Sequence, residues 1–215
     1  MKAIPFFANL NDGTHCYQAA LKMALTPLSG REWSFEELDK ISQKKTGQWT
    51  WPTASLIWLM DQGYEVKLIE EFSYEDFGKR GKKYLEEKWG KEVADAQEAN
   101  SDLKTEQKRA LQLAKKIPVD HRIPTWDDLK DLFKKDHIII CNVNSRLLYK
   151  KSGYSGHFIV PIELDDDFII LHDPGLPAAP HIKVAREVFE KAWGYPTEHE
   201  RNLLGIWCQA LGEGF

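Results

Sequence analysis

Cys16, His157 and Asp173 are the residues of this sequence whose types and placement point to chemistry. A thiol becomes a strong nucleophile once deprotonated. An imidazole can exchange its proton, and a carboxylate can fix the imidazole's tautomer and orientation. Together they have the logic of an acyl-transfer triad. Two alternating apolar segments, HFIVPIEL (157–164) and FIILHDP (168–174), flank the acidic tripeptide Asp165-Asp166-Asp167 and predict a hairpin. If the turn is residues 165–167, Leu164 faces Phe168 and Ile159 faces Asp173. His157 then shares a face with Ile159 and is the diagonal neighbour of Asp173. Diagonal partners lie roughly 7–8 Å apart, within reach of these two side chains. A one-residue slip would turn every side chain over. On the same register His172 points to the opposite face.

Cys16 follows a polar loop, Asn11-Asp12-Gly13-Thr14-His15, at the expected start of a first helix. Free N–H groups and the helix dipole at that position favour a thiolate. The same N–H groups can stabilise an oxyanion. The sequence therefore predicts a Cys16 sulfur roughly 3–5 Å from one His157 ring nitrogen, with Asp173 on the other.

The elements that must hold these groups fall into three stretches. Residues 14–69 read as mainly helical: Cys16, Ala19, Ala20, Met23 and Ala24 recur at helical spacing. Ser34 with Glu37 forms a capping-box pattern for a helix over 35–42. Pro52 opens a helix that stops at Gly63, and residues 64–69 alternate as a strand. Residues 79–116 mix eleven basic and seven acidic side chains without proline. They read as one or two solvated helices within a charged helical insertion at about 73–116. A lid over a substrate cleft is the sharper reading of that stretch. Thr125 caps a helix to Lys134. Residues 137–143, 157–164, 168–174 and 203–211 read as strands, with a short amphipathic helix at 184–193. Helices come first and sheet second, so the class is α+β in one domain over 1–215.

Bulk composition sets wider bounds. The chain has 215 residues, a net charge of −4 and 42% hydrophobic residues, an ordinary globular composition that does not suggest a nucleic-acid binder. No apolar run reaches the length of a membrane span, and the N-terminus makes no convincing signal peptide. Three cysteines argue against a disulfide framework, so a cytoplasmic location is expected. Cys141 and Cys208 lie in apolar strand segments and are expected in the core. His15 is expected to be solvated. Eight tryptophans fit a Trp-rich core or a ligand groove equally. His172, Asp173 and His181 match no standard zinc spacing, so neither a metal nor a cofactor is expected.

The stretches IPFFANLNDGTHCYQAALKMAL and GHFIVPIELDDDFIILHDPG resemble the papain-like cysteine peptidase family that includes the bacteriocin-processing, double-glycine leader peptidases. Pro5-Phe6, Cys16, Gly156-His157 and Asp173-Pro174 match the family's order, and Phe189–Trp193 is similar to its closing helix. The resemblance implies a papain-like fold, with the cysteine on an N-terminal helix and the histidine and aspartate on a later antiparallel sheet. It implies Cys16 as nucleophile, His157 as base and Asp173 as orienting acid. The family's glutamine six residues before the cysteine is Leu10 here. Asn9 or Asn11, which flank it, would then supply the oxyanion-hole amide. The small residue that usually follows the cysteine is replaced by Tyr17. The transporter-fused members carry membrane and ATPase parts that this chain lacks.

Three functions are compatible with this reading. One is a peptidase or amidase acting on a peptide or small amide through a thioester. Another is a peptide-binding module with a weak or inactive site. The third is acyl transfer to a non-water acceptor by the same triad.

Overall fold

A computed structural model describes residues 3–208. Helix α1 (Cys16–Ser29) begins where the sequence expects it, and its stripe from Ala19 to Leu25 is fully buried. Ser34 and Glu37 close a reciprocal capping box on α2 (Phe35–Ser42). Helix α3 (Thr53–Asp61) follows Pro52 and leads into strand β1 (Glu65–Glu70).

The charged stretch is more structured than its composition suggests. It forms four helices: α4 (Tyr74–Arg80), α5 (Lys82–Trp89), α6 (Lys91–Asn100) and α7 (Leu103–Lys116). Their outer faces are wet, but Phe77, Leu85, Ala94, Ala110 and Leu113 are fully buried in the same core as α1 and α3. The expectation of one or two solvated helices is corrected on that point. The stretch carries its own apolar stripe, masked in the sequence by the lysines and glutamates between the stripe positions.

Strand β2 (Val119–Asp120) comes next, then α8 (Trp126–Lys134), capped by a Thr125–Asp128 box. Strand β3 (Ile138–Asn144) and the single turn α9 (Ser145–Leu148) precede the hairpin of β4 (Gly156–Leu164) and β5 (Phe168–Asp173). Strand β6 (Ala179–Ala185), α10 (Arg186–Trp193) and β7 (Asn202–Trp207) complete the described chain. Sequence reading missed β2, α9 and β6; β6 is largely exposed on the sheet edge, so it has no clear apolar alternation. Of the last strand expected at 203–211, residues 209–211 lie outside the described residues. Cys208 follows the end of β7 and is half-buried, so it is not the core strand residue expected.

Among the described residues the strands form one sheet ordered β2-β1-β7-β3-β4-β5-β6, antiparallel except for β1 with β2. Both faces are covered. Ile138 and Ile140 of β3 pack with α1, α3 and the α4–α7 helices, whereas Ile139 and Cys141 pack with α8 and α10. A strand buried on both sides reads as a continuous apolar run, which is what HIIIC is. The architecture is α+β, with helices first and sheet after. No helix among the described residues is long and apolar enough to cross a membrane.

The central hairpin differs from expectation near its turn. Leu164 pairs with Ile169, so four residues, not three, form the turn. Asp165 makes it by accepting the N–H groups of Asp167 and Phe168 on Oδ1. A bulge between Pro161 and Glu163 then takes up one residue, and Val160 pairs with His172. The two departures cancel, and His157 and Asp173 return to the diagonal relation that the simpler register predicted.

Candidate active site

The loop before α1 is tied down at both ends by Asn9. Its backbone N–H donates to the Pro174 carbonyl at 2.8 Å, and its Oδ1 accepts the His15 N–H at 2.8 Å. One residue thus connects the end of β5 to the N-terminus of α1, next to Cys16. His15 is buried, contrary to expectation, with Nδ1 2.9 Å from Asp12 Oδ1 and Nε2 3.3 Å from Asp39 Oδ2. At a helix N-cap its ring turns back under the loop and stacks edge-on against Phe35. It stands beside Cys16 in sequence but faces away from it.

Cys16 opens α1 half-buried, and its backbone N–H has no acceptor among the described residues. Its thiol is in polar contact with the His157 imidazole, and the N–H groups of Phe158 and Tyr17 face the sulfur. Burial alone would push the thiol's pKa up. The neighbouring imidazole and the two N–H groups outweigh burial, and the thiol sits below its ordinary value. Cys141 shows the opposite case: buried in the sheet without such partners, it is pushed well up.

His157 lies at the start of β4, where Val143 of β3 is its cross-strand partner. Its Nε2 is 2.6 Å from Asp173 Oδ1, which leaves Nδ1 for the sulfur. Burial lowers the imidazole's pKa, but the carboxylate on one side and the thiolate on the other raise it well above the ordinary value. Asp173 is buried at the end of β5. Its Oδ1 also accepts the Gly175 N–H at 2.7 Å, and its Oδ2 accepts the Tyr149 hydroxyl at 2.5 Å. Burial would raise this carboxyl, yet the His157 contact and these donors hold it below the usual carboxylate range. The structure therefore brings Cys16, His157 and Asp173 together in one line of polar contacts.

Two residues of this cluster escaped sequence reading. Tyr149 follows α9 in a loop, and nothing local marks its hydroxyl as a partner for a carboxylate 24 residues later. Gly175 stands in the quoted HDPG stretch, but its role is steric. A Cβ there would lie 2.8 Å from Asp173 Oδ1 and 3.3 Å from His157 Nε2.

The amides behave differently from expectation. Asn9 is buried with its oxygen committed to His15, so only Nδ2 remains to donate. Asn11 is exposed. Neither lines the cavity that opens at Cys16. His172 is fully buried on the other side of the hairpin, with Nε2 3.2 Å from the Ile4 carbonyl and Nδ1 accepting the His181 N–H. No group of three or more His, Cys, Asp or Glu side chains among the described residues is placed to hold a metal ion.

A cavity of about 290 Å³ runs inward from Cys16 and His157. Trp51, Trp89, Tyr154 and Trp193 are among its walls, so half of the eight tryptophans, Trp49 included, line it. Tyr17 is buried in its wall, its hydroxyl 2.5 Å from Ser55 Oγ and its ring edge-on to Phe158 at 4.8 Å. The ring packs α1 onto β4.

The sequence matches no protein-family model and no curated protein. Among solved structures, the chain is similar to the peptidase domain of Streptococcus ComA, a bi-functional ABC transporter involved in a quorum-sensing pathway. The match has a TM-score of 0.51 at 13% identity and covers 96% of this chain and 100% of that one. The fold is that of a papain-like peptidase domain. At this identity the likeness concerns the fold alone. In the papain-like arrangement the helical layer carries Cys16 and the sheet carries His157 and Asp173, and the cleft lies between them.

Proposed function

We propose that this chain is a cysteine peptidase or amidase that works through a thioester. Cys16 is the nucleophile, His157 its acid–base partner and Asp173 the group that orients His157. The observation that supports the reading is the line of contacts from the Cys16 thiol through His157 to Asp173, across two layers of the fold.

The Cys16 thiolate attacks the substrate carbonyl carbon, and the C=O electron pair moves onto oxygen. The unpaired Cys16 N–H at the start of α1 faces the developing oxyanion. As the C–N bond breaks, the His157 imidazolium gives its proton to the leaving nitrogen. Neutral His157 then takes a proton from water, which attacks the thioester and releases the acid and the thiolate. Asp173, held by Tyr149 and Gly175, keeps Nε2 protonated and Nδ1 facing the sulfur.

The second oxyanion donor in this reading is Asn9 Nδ2, in preference to the exposed Asn11. An Asn9→Asp variant keeps the acceptor for the His15 N–H and removes the amide donor. Its turnover of a peptide or ester should fall about a hundred- to a thousandfold, the usual loss for one oxyanion donor. Unchanged turnover would remove Asn9 from the role. One observation favours a second reading, a peptide-binding module: neither Asn9 nor Asn11 lines the cavity. Wild-type protein should cleave members of a broad peptide and amide library, and a Cys16→Ala variant should not. Binding without cleavage by the wild type would favour the module.

A further inference from the structure

Helix α6 contributes Val93 and Gln97 to the lining of the cavity at Cys16. On the Cys16 side, the 49–51 loop is anchored to α1 by Gln18 Nε2, which donates to Thr50 Oγ1 at 2.9 Å. That loop is bonded in turn to α6 and the residue that follows it. The Trp49 N–H donates to the Asn100 carbonyl at 2.6 Å. Trp51 Nε1 donates to Gln97 Oε1 at 3.1 Å and to Ser101 Oγ at 3.3 Å. On the His157 side, the Gln97 amide is in polar contact with the Tyr154 phenol. That phenol folds over Gly156, so closely that a Cβ there would sit 2.8 Å from its oxygen. Gly156 immediately precedes His157. One side chain, Gln97, therefore touches both banks of the cleft, and Cys16, His157, Trp51, Gln97 and Tyr154 all line one cavity.

The helix is packed in place. Val93 and Ala94 are buried, and Trp89, just before it, stacks on Phe72 with ring centroids 5.3 Å apart. The bar is part of the core and not a loose flap. The whole cavity that α6 helps to line measures about 290 Å³, at the small end of the roughly 300–1,000 Å³ usual for ligand sites.

We propose that α6 bars one end of the cleft, so that the site accepts the end of a peptide chain and excludes an internal bond of a long one. The proposal rests on the acyl-transfer reading of Cys16. Exclusion by a built-in obstruction gives selectivity without any added attraction for the preferred substrate.

The test uses the full chain and two peptides carrying the same thiol-reactive alkene. One has it at the chain end, the other in the middle with several residues on each side. Labelling of Cys16 is followed by mass spectrometry, and each rate is divided by the iodoacetamide rate of the same variant. Wild type should take the end-reactive peptide at least about tenfold faster, a margin that steric exclusion readily supplies. Gln97→Ala and, independently, Tyr154→Phe should narrow that ratio by admitting the mid-chain peptide. Equal normalised rates in the wild type would overturn the bar while leaving Cys16 as the nucleophile. Slow iodoacetamide labelling of Cys16 itself would instead remove the acyl-transfer reading, and the bar's role with it.

Discussion

At the scale of single residues, the proposed chemistry depends on how firmly Asp173 is held. Three donors converge on its two oxygens: His157, Gly175 and Tyr149. A Gly175→Ala variant places a Cβ 2.8 Å from Oδ1, and the carboxylate, fixed by its other partners, has little room to retreat. The variant should fold, but its Cys16 alkylation at neutral pH should slow toward that of an ordinary thiol. A wild-type rate would show that the His157–Asp173 contact does not govern the thiol. Tyr149→Phe removes one hydrogen bond to a carboxylate, an interaction worth about 1.5–3 kcal/mol. The Tyr149 ring is 44% exposed, so the loss of stability should fall at the low end of that range. Because the Asp173 carboxyl is held below its ordinary value in the fold, its share of stability is present above the usual carboxylate pKa. That share is lost as pH falls through the folded value. In Tyr149→Phe the folded value lies closer to the ordinary one, so the acid-side loss should be smaller and complete at higher pH, which denaturant titrations across the acid range would detect.

At the scale of elements, the α4–α7 helices carry the clearest test. Leu113 is fully buried in α7 against the main core. Leu113→Ala should cost about 2–5 kcal/mol in chemical denaturation. A solvated helical face would give within about 0.5 kcal/mol, as surface substitutions do. The capping box at Ser34, the N-cap at Thr125 and the start of α1 at Cys16 were legible because each is a local signal with a local cause. The hairpin was legible in its outcome and not in its path, because turn length and bulge are set by packing along both strands. The buried stripe of α4–α7 was hidden by the charges that solubilise its outer face. The Tyr149 and Gln97 contacts were out of reach altogether, because partners far apart in sequence leave no periodic trace.

At the scale of the whole molecule, the fold sets a helical layer against a sheet and places a thiol from one beside an imidazole from the other. The thiol's value is lowered and the imidazole's is raised by each other's presence, which favours the ion-pair form of the two as a coupled unit. The sign follows directly. Alkylation should persist below the pH at which a free thiol, with a pKa of about 8.5, reacts, and should fall only when the pair takes up a proton. The measurement is the rate of iodoacetamide labelling at each cysteine against pH, read by mass spectrometry in the wild type and in His157→Ala. Cys16 should label faster than Cys141 and Cys208 at neutral pH, and His157→Ala should shift its profile up toward an ordinary thiol. Equal rates at the three cysteines, or a Cys16 profile indifferent to His157→Ala, would contradict the assignment of Cys16 and His157 as a reactive pair.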